Sequence, residues 1–115
     1  MRDSFFLFAY GSLRAPAGTV GDLLGGCERV GDATVHGTLY DVGEYPALLL
    51  SGDRPVRGEI WRCPVDRLAA LDHYEGVAEG LFRRGGVRVD GRACWVYVAG
   101  PRLGHRLRPG ALLRR

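Results

Sequence analysis

Val65-Asp66-Arg67-Leu68-Ala69-Ala70-Leu71-Asp72-His73-Tyr74-Glu75-Gly76 is the one segment of this 115-residue chain whose apolar residues recur with helical spacing. Val65, Leu68 and Leu71 fall three apart and Glu75 follows four later, a stripe along one helix face. Asp66 reads as the N-cap and Gly76 as the C′ residue, which predicts a helix of about nine residues. On either side the period is two, or the apolar residues continue without a break. Phe5-Phe6-Leu7-Phe8-Ala9-Tyr10 is such an unbroken run, closed by Gly11-Ser12, and it fits a strand covered on both faces. Thr34 to Val42 alternates, with Val35, Gly37 and Leu39 on one face and His36, Thr38 and Tyr40 on the other. Ala47 to Leu50 and Val56 to Cys63 read as further strands, separated by a turn at Gly52-Asp53. Val87 and Val89 precede Asp90-Gly91, and Ala93 to Val98 follow it; both central residues can take the positive φ of a tight hairpin. Gly11 to Gly26 reads as a loop with at most a short helix around Thr19 to Leu24, and the last fifteen residues show no period. About six short strands and one clear short helix predict an α+β fold, a small mixed β-barrel forming a single domain over residues 1–115. A doubly wound parallel sheet needs several crossover helices, and one is visible.

Composition narrows the function classes. With 46% hydrophobic residues the chain can bury one core, which excludes a disordered tail and a coiled coil. No apolar run approaches the ~20 residues of a membrane span. Asp3 precedes a first apolar run too short for a signal peptide, so a cytoplasmic protein is expected. The sixteen basic residues are all Arg, and Lys, Asn and Gln are absent, the bias of a GC-rich genome. The net charge of +3 is therefore poor grounds for a nucleic-acid partner. Apart from the tail His105-Arg106-Leu107-Arg108, the arginines are scattered among thirteen acids rather than set in a basic stripe. Cys27, Cys63 and Cys94 are odd in number and lack C-x-x-C spacing, so neither a disulfide framework nor a zinc site is expected. His73 and Glu75 form an H-x-E without the P-C-x-x-C of zinc deaminases. There is no P-loop and no G-x-G-x-x-G after the first strand, so nucleotide binding has no support.

Glu75 breaks the local rules. It shares the face of Leu68 and Leu71, and it lies in the last helical turn, where the macrodipole disfavours negative charge. Burial and dipole both raise its pKa toward neutrality, where a carboxyl can exchange protons. Pairing with Arg83 or Arg84, or fraying of the helix end, is the structural alternative. A second feature is Tyr10-Gly11-Ser12-Leu13: a buried strand ending in Gly-Ser presents successive backbone N–H groups that can hold an anion.

Together these segments resemble a known family. Phe8-Ala9-Tyr10-Gly11-Ser12-Leu13 is similar to the Y-G-[ST]-L signature of the γ-glutamylcyclotransferase-like (AIG2-like) family. The likeness continues in order through Tyr45-Pro46-Ala47-Leu48, Val56-Arg57-Gly58-Glu59-Ile60-Trp61, Leu71-Asp72-His73-Tyr74-Glu75-Gly76 and Phe82-Arg83-Arg84. It spans Phe5 to about Gly100. The resemblance implies an enzyme that releases 5-oxoproline and an amine or amino acid from a γ-glutamyl substrate, with no metal or cofactor. Glu75 is implied as the general acid/base, and Tyr10, Gly11, Ser12 and Leu13 as the substrate-binding turn. Relatives commonly carry Tyr where this chain has Phe82, so Tyr97 and Tyr40 are candidates to supply a hydroxyl to the cavity. A small-molecule partner, no nucleic acid or membrane, and a monomer or weak dimer are expected. The competing reading is a catalytically silent binding or interaction module of the same fold.

Overall fold

The structure is a computed structural model that describes residues 3–10, 24–41 and 46–104. Its strands are β1 (Ser4–Ala9), β2 (Glu28–Asp41), β3 (Pro46–Pro64), β4 (Phe82–Val89) and β5 (Arg92–Ala99), in the spatial order β2-β3-β1-β5-β4. β1 is central. It runs antiparallel to β3 from Ser4↔Pro64 to Ala9↔Glu59, and parallel to β5 at Phe6↔Cys94 and Leu7↔Trp95. With a strand on each side and side chains packed on both faces, Leu7 to Tyr10 is buried throughout. This double coverage is why the segment shows no polar alternation.

The expected strands at 47–50 and 56–63 are one: β3 continues through both for 19 residues. Gly52, at φ +99°, lies in a bulge where the register against β2 jumps from Gly37↔Arg54 to Thr38↔Leu49. Thr38 Oγ1 donates to the Ser51 carbonyl at 2.7 Å and satisfies part of the bulged backbone. A positive-φ glycine reads as a turn in sequence, but the long β2 holds both halves and the strand count falls from six to five. Asp90 (φ 50°) and Gly91 (φ 79°) form the expected hairpin between β4 and β5. The barrel is not closed. Among the described residues no ladder joins the edge strands β2 and β4, although the curl of the sheet brings them into contact. That curl buries one cluster, including Phe8, Val35, Leu48, Ile60, Val96 and Val98, between the strands themselves.

A 3-10 turn (Val65–Arg67) leads into α1 (Leu68–Tyr74), and α2 (Pro101–Gly104) adds a single turn after β5, in a stretch without sequence period. Asp66 is not the N-cap. It lies inside the 3-10 turn, which begins at Pro64 in extended backbone with no side-chain cap; the fixed φ of proline starts the turn two residues earlier than a cap at Asp66 would. α1 lays Leu71, fully buried, on the sheet face formed by Leu7, Ala9, Cys63, Phe82 and Tyr97. None of the described helices is long and apolar enough to cross a membrane.

The end of α1 is the one read from sequence. Gly76, at φ +66°, donates its N–H to the His73 carbonyl at 3.1 Å, and Val77 donates to the Asp72 carbonyl at 3.0 Å. This is a Schellman motif, and Val77 packs against the Leu71 cluster as that motif requires. A Cβ at position 76 would meet Leu81 Cδ1 at 2.7 Å in a backbone conformation that L-residues avoid. Gly76→Ala is expected to cost about 2 kcal/mol, read as a lower urea midpoint with unchanged m value. An unchanged midpoint would contradict the cap.

Candidate functional site

Glu75 is the C-cap residue of α1, with φ −82° and ψ −1°, and its N–H donates to the Leu71 carbonyl at 2.9 Å. The Schellman turn thus fixes its backbone from both sides. Its side chain is half-buried, and burial pushes the carboxyl up from its ordinary 4.5 to about 7. Desolvation is the cause; the helix dipole is not needed to explain it. Among the described residues no cation pairs with Glu75. The expected alternative partners are otherwise placed: Arg83 is exposed, and Arg84 Nε binds Asp72 Oδ1 at 3.0 Å.

Tyr10 follows the last residue of β1 and is buried. Its hydroxyl donates to the Tyr97 carbonyl and accepts the Leu48 N–H at 3.1 Å. Burial, reinforced by the charge of Glu75, raises this phenol far above its ordinary range. Tyr10 therefore stays neutral, with its hydroxyl committed to backbone, and it anchors the point where the chain passes to Gly11. Gly11, Ser12 and Leu13 lie outside the described residues.

Tyr97, on β5, is also buried, and its phenol is raised by burial and by Asp72. Its hydroxyl donates to Asp72 Oδ1 at 2.6 Å, the same oxygen that accepts Arg84. The Arg84 guanidinium carbon in turn sits 4.8 Å from the centroid of the Trp95 ring. The charge of Glu75 acts on the hydroxyls of both Tyr10 and Tyr97, so these three expected residues lie within electrostatic reach of one another. Phe82 packs in the same cluster as Tyr97 without a hydroxyl to offer. Tyr40 stands on β2 opposite Ala47, and among the described residues no hydrogen bond links it to Glu75 or Tyr97.

Asp72 and Glu59 were not singled out by sequence. Asp72 and Arg84 form the pair that supports Tyr97. Glu59, 5% exposed on β3, accepts Arg29 Nε at 3.0 Å and Trp61 Nε1 at 3.3 Å. The signal for Glu59 was a lone carboxylate in an alternating strand whose two faces are both covered. Among the described residues no three His, Cys, Asp or Glu side chains converge to hold a metal ion.

The arrangement can exchange a proton near neutrality at a half-buried carboxyl whose charge reaches Tyr10, the residue that follows β1. Residues 7–112 match the family described as Gamma-glutamyl cyclotransferase, AIG2-like. The fold is similar to that of an AIG2-like protein from Mus musculus, with 21% identity over 97% of this chain and 86% of that one and a TM-score of 0.76. It is also similar to the protein ytfP from Escherichia coli, with 28% identity over 87% of each chain and a TM-score of 0.70. A solved structure named gamma-glutamyl cyclotransferase matches at 20% identity over 84% of this chain and 67% of that one, with a TM-score of 0.64. No curated protein matches the chain in sequence.

The raised carboxyl of Glu75 has a signed effect on stability. Between its ordinary 4.5 and about 7 the folded state holds a proton that the unfolded state has released, so this group lowers stability as pH rises through that window. Glu75→Gln removes the effect. Relative to wild type it is expected to gain stability from pH 5 to pH 8, by about 2 kcal/mol once solvent screening of a half-buried group is allowed for. Urea melts of both proteins at the two pH values measure it; a difference independent of pH would refute the buried carboxyl.

Proposed function

The chain belongs to the Gamma-glutamyl cyclotransferase, AIG2-like family, and on that premise we propose that it releases 5-oxoproline and an amine or amino acid from a γ-glutamyl substrate. The observation that carries this reading is Glu75: a carboxyl without a cation partner among the described residues, poised near pH 7 beside the strand end that leads to Gly11. The substrate's own α-amine attacks its γ-carbonyl carbon. A C–N bond forms, the five-membered lactam closes, and the original γ-amide C–N bond breaks. Glu75 takes the proton from the attacking nitrogen and returns it to the leaving nitrogen, so no proton is gained or lost over the cycle.

Such a reaction asks little else of the protein. Nucleophile and electrophile share one molecule, so the main task is folding the substrate into attack geometry. Backbone amides of the Gly11-Ser12-Leu13 turn are proposed to hold the α-carboxylate or the developing oxyanion. Tyr10, its own hydroxyl committed, contributes by fixing the start of that turn. No metal or organic cofactor is required by this chemistry.

A panel of γ-glutamyl amino acids and amines, scored for 5-oxoproline, tests the reading. Turnover on at least one of them is expected, with kcat/KM rising with pH through a midpoint of about 7 as Glu75 becomes a base. Glu75→Gln is expected to lose about 10²–10⁴-fold in kcat while remaining folded. Undiminished turnover in that variant would remove Glu75 from the mechanism, and no product across the panel would favour the binding-module reading.

A further inference from the structure

We infer that Tyr97 is a positioning residue for the proposed reaction, tying the strand end that leads into Gly11 to the helix that carries Glu75. This inference rests on the assignment of Glu75 as acid/base. Tyr97 is bonded at both of its ends. Its backbone carbonyl accepts the Tyr10 hydroxyl, and its own hydroxyl donates to Asp72 Oδ1 at 2.6 Å. One residue therefore links Tyr10, at the end of β1, to Asp72 of α1.

Helix α1 needs that tie. It has seven residues, so its backbone bonds alone do not fix it, and its start has no side-chain cap. Leu71 sets how far α1 stands from the sheet, but an apolar contact resists rotation and sliding poorly. Asp72 is held from two elements, by Tyr97 of β5 and Arg84 of β4. It lies three positions before Glu75, a spacing that puts both on neighbouring parts of one helix surface. A slip at Asp72 is therefore transmitted to the carboxyl of Glu75.

Tyr97 does not serve as a proton carrier. Burial and the neighbouring Asp72 keep its phenol protonated. Nor is its hydroxyl needed to neutralise Asp72, which already has Arg84. Its consequence is geometric, and it reaches Glu75 through water access. Among the described residues, the titratable and charged groups around Glu75 are Tyr10 just after β1, Tyr97 from β5, Asp72, His73 and Tyr74 on its own helix, Glu79 in the following turn, and Arg84 of β4 held on Asp72. Desolvation is what holds Glu75 near 7, so a looser helix that admits water brings it back toward 4.5.

Tyr97→Phe keeps the ring and removes the tie. It is expected to lower kcat about 10–100-fold with KM within about twofold, as misplacement of a reacting group does. The acidic midpoint of kcat is expected to fall by about half a unit or more. Asp72→Asn, whose amide can still bond to the Tyr97 hydroxyl, is expected to keep kcat within about threefold of wild type, whereas Asp72→Ala behaves like Tyr97→Phe. Unchanged kcat and midpoint in Tyr97→Phe, or a rise in KM alone, would overturn the inference. Carboxyl titration of Glu75 by NMR, in wild type and Tyr97→Phe, repeats the test without turnover. If wild type shows no activity the reaction assignment fails; if the two titrations coincide, the positioning role fails.

Discussion

A single buried hydroxyl holds the middle of this sheet together at the end of β1. Tyr10 donates to β5 at the Tyr97 carbonyl and accepts from β3 at the Leu48 amide. Each bond is modest, but losing the hydroxyl would strand two buried backbone groups at once, and that is the larger cost. The central strand is thus pinned to both neighbours at the residue where it leaves the sheet. The positions of β5, of Tyr97 on it, and of the helix that Tyr97 grips all refer back to this point.

Among the described residues, the carboxylates of Glu59 and Glu75 are treated in opposite ways. Glu59 is deeply buried and receives a guanidinium and an indole N–H, so its charge is compensated where it sits. Glu75 is only half-buried, and no cation among the described residues answers it. Burial without a partner makes the charged form costly, which is poor economy for stability and useful for moving protons. Asp72, three residues before Glu75, takes the arginine that Glu75 was free to attract. Charge around this helix end is thus sorted, with the ion pair on Asp72 and, among the described residues, an unpaired acid at Glu75.

What could be read from sequence is what short-range physics dictates. The end of α1 was legible because a Schellman turn demands glycine at one position, and a carboxylate on an apolar helix face contradicts its neighbours. The hairpin at Asp90-Gly91 and the double burial of β1 were legible for the same reason. The bulge at Gly52 was not, since a positive-φ glycine looks alike in a turn and within a strand held by a long partner. The cap at Asp66 failed because Pro64 acts first. Barrel closure is a property of edges that no local pattern reports. The grip of Tyr97 on Asp72 and of Arg84 on the same oxygen joins residues from three separate elements, and only the assembled fold shows them as one group.

The parallel pairing of β1 with β5 governs when the molecule can form. Phe6 meets Cys94, so the first strand of the chain finds one of its two neighbours only among the last described strands. Closing so long a loop has an entropic cost before any contact offsets it, and sheets built this way fold slowly. During synthesis β1 has β3 as a neighbour but keeps its other edge open until β5 emerges. Tyr10 can then reach Leu48 but not the Tyr97 carbonyl, and β4, which joins the sheet through β5 among the described residues, does not yet hold Arg84 against Asp72. The surroundings of Glu75 are therefore among the last parts of the described fold to assemble, and a chain interrupted before β5 carries that carboxyl without the Tyr97 hydroxyl near it.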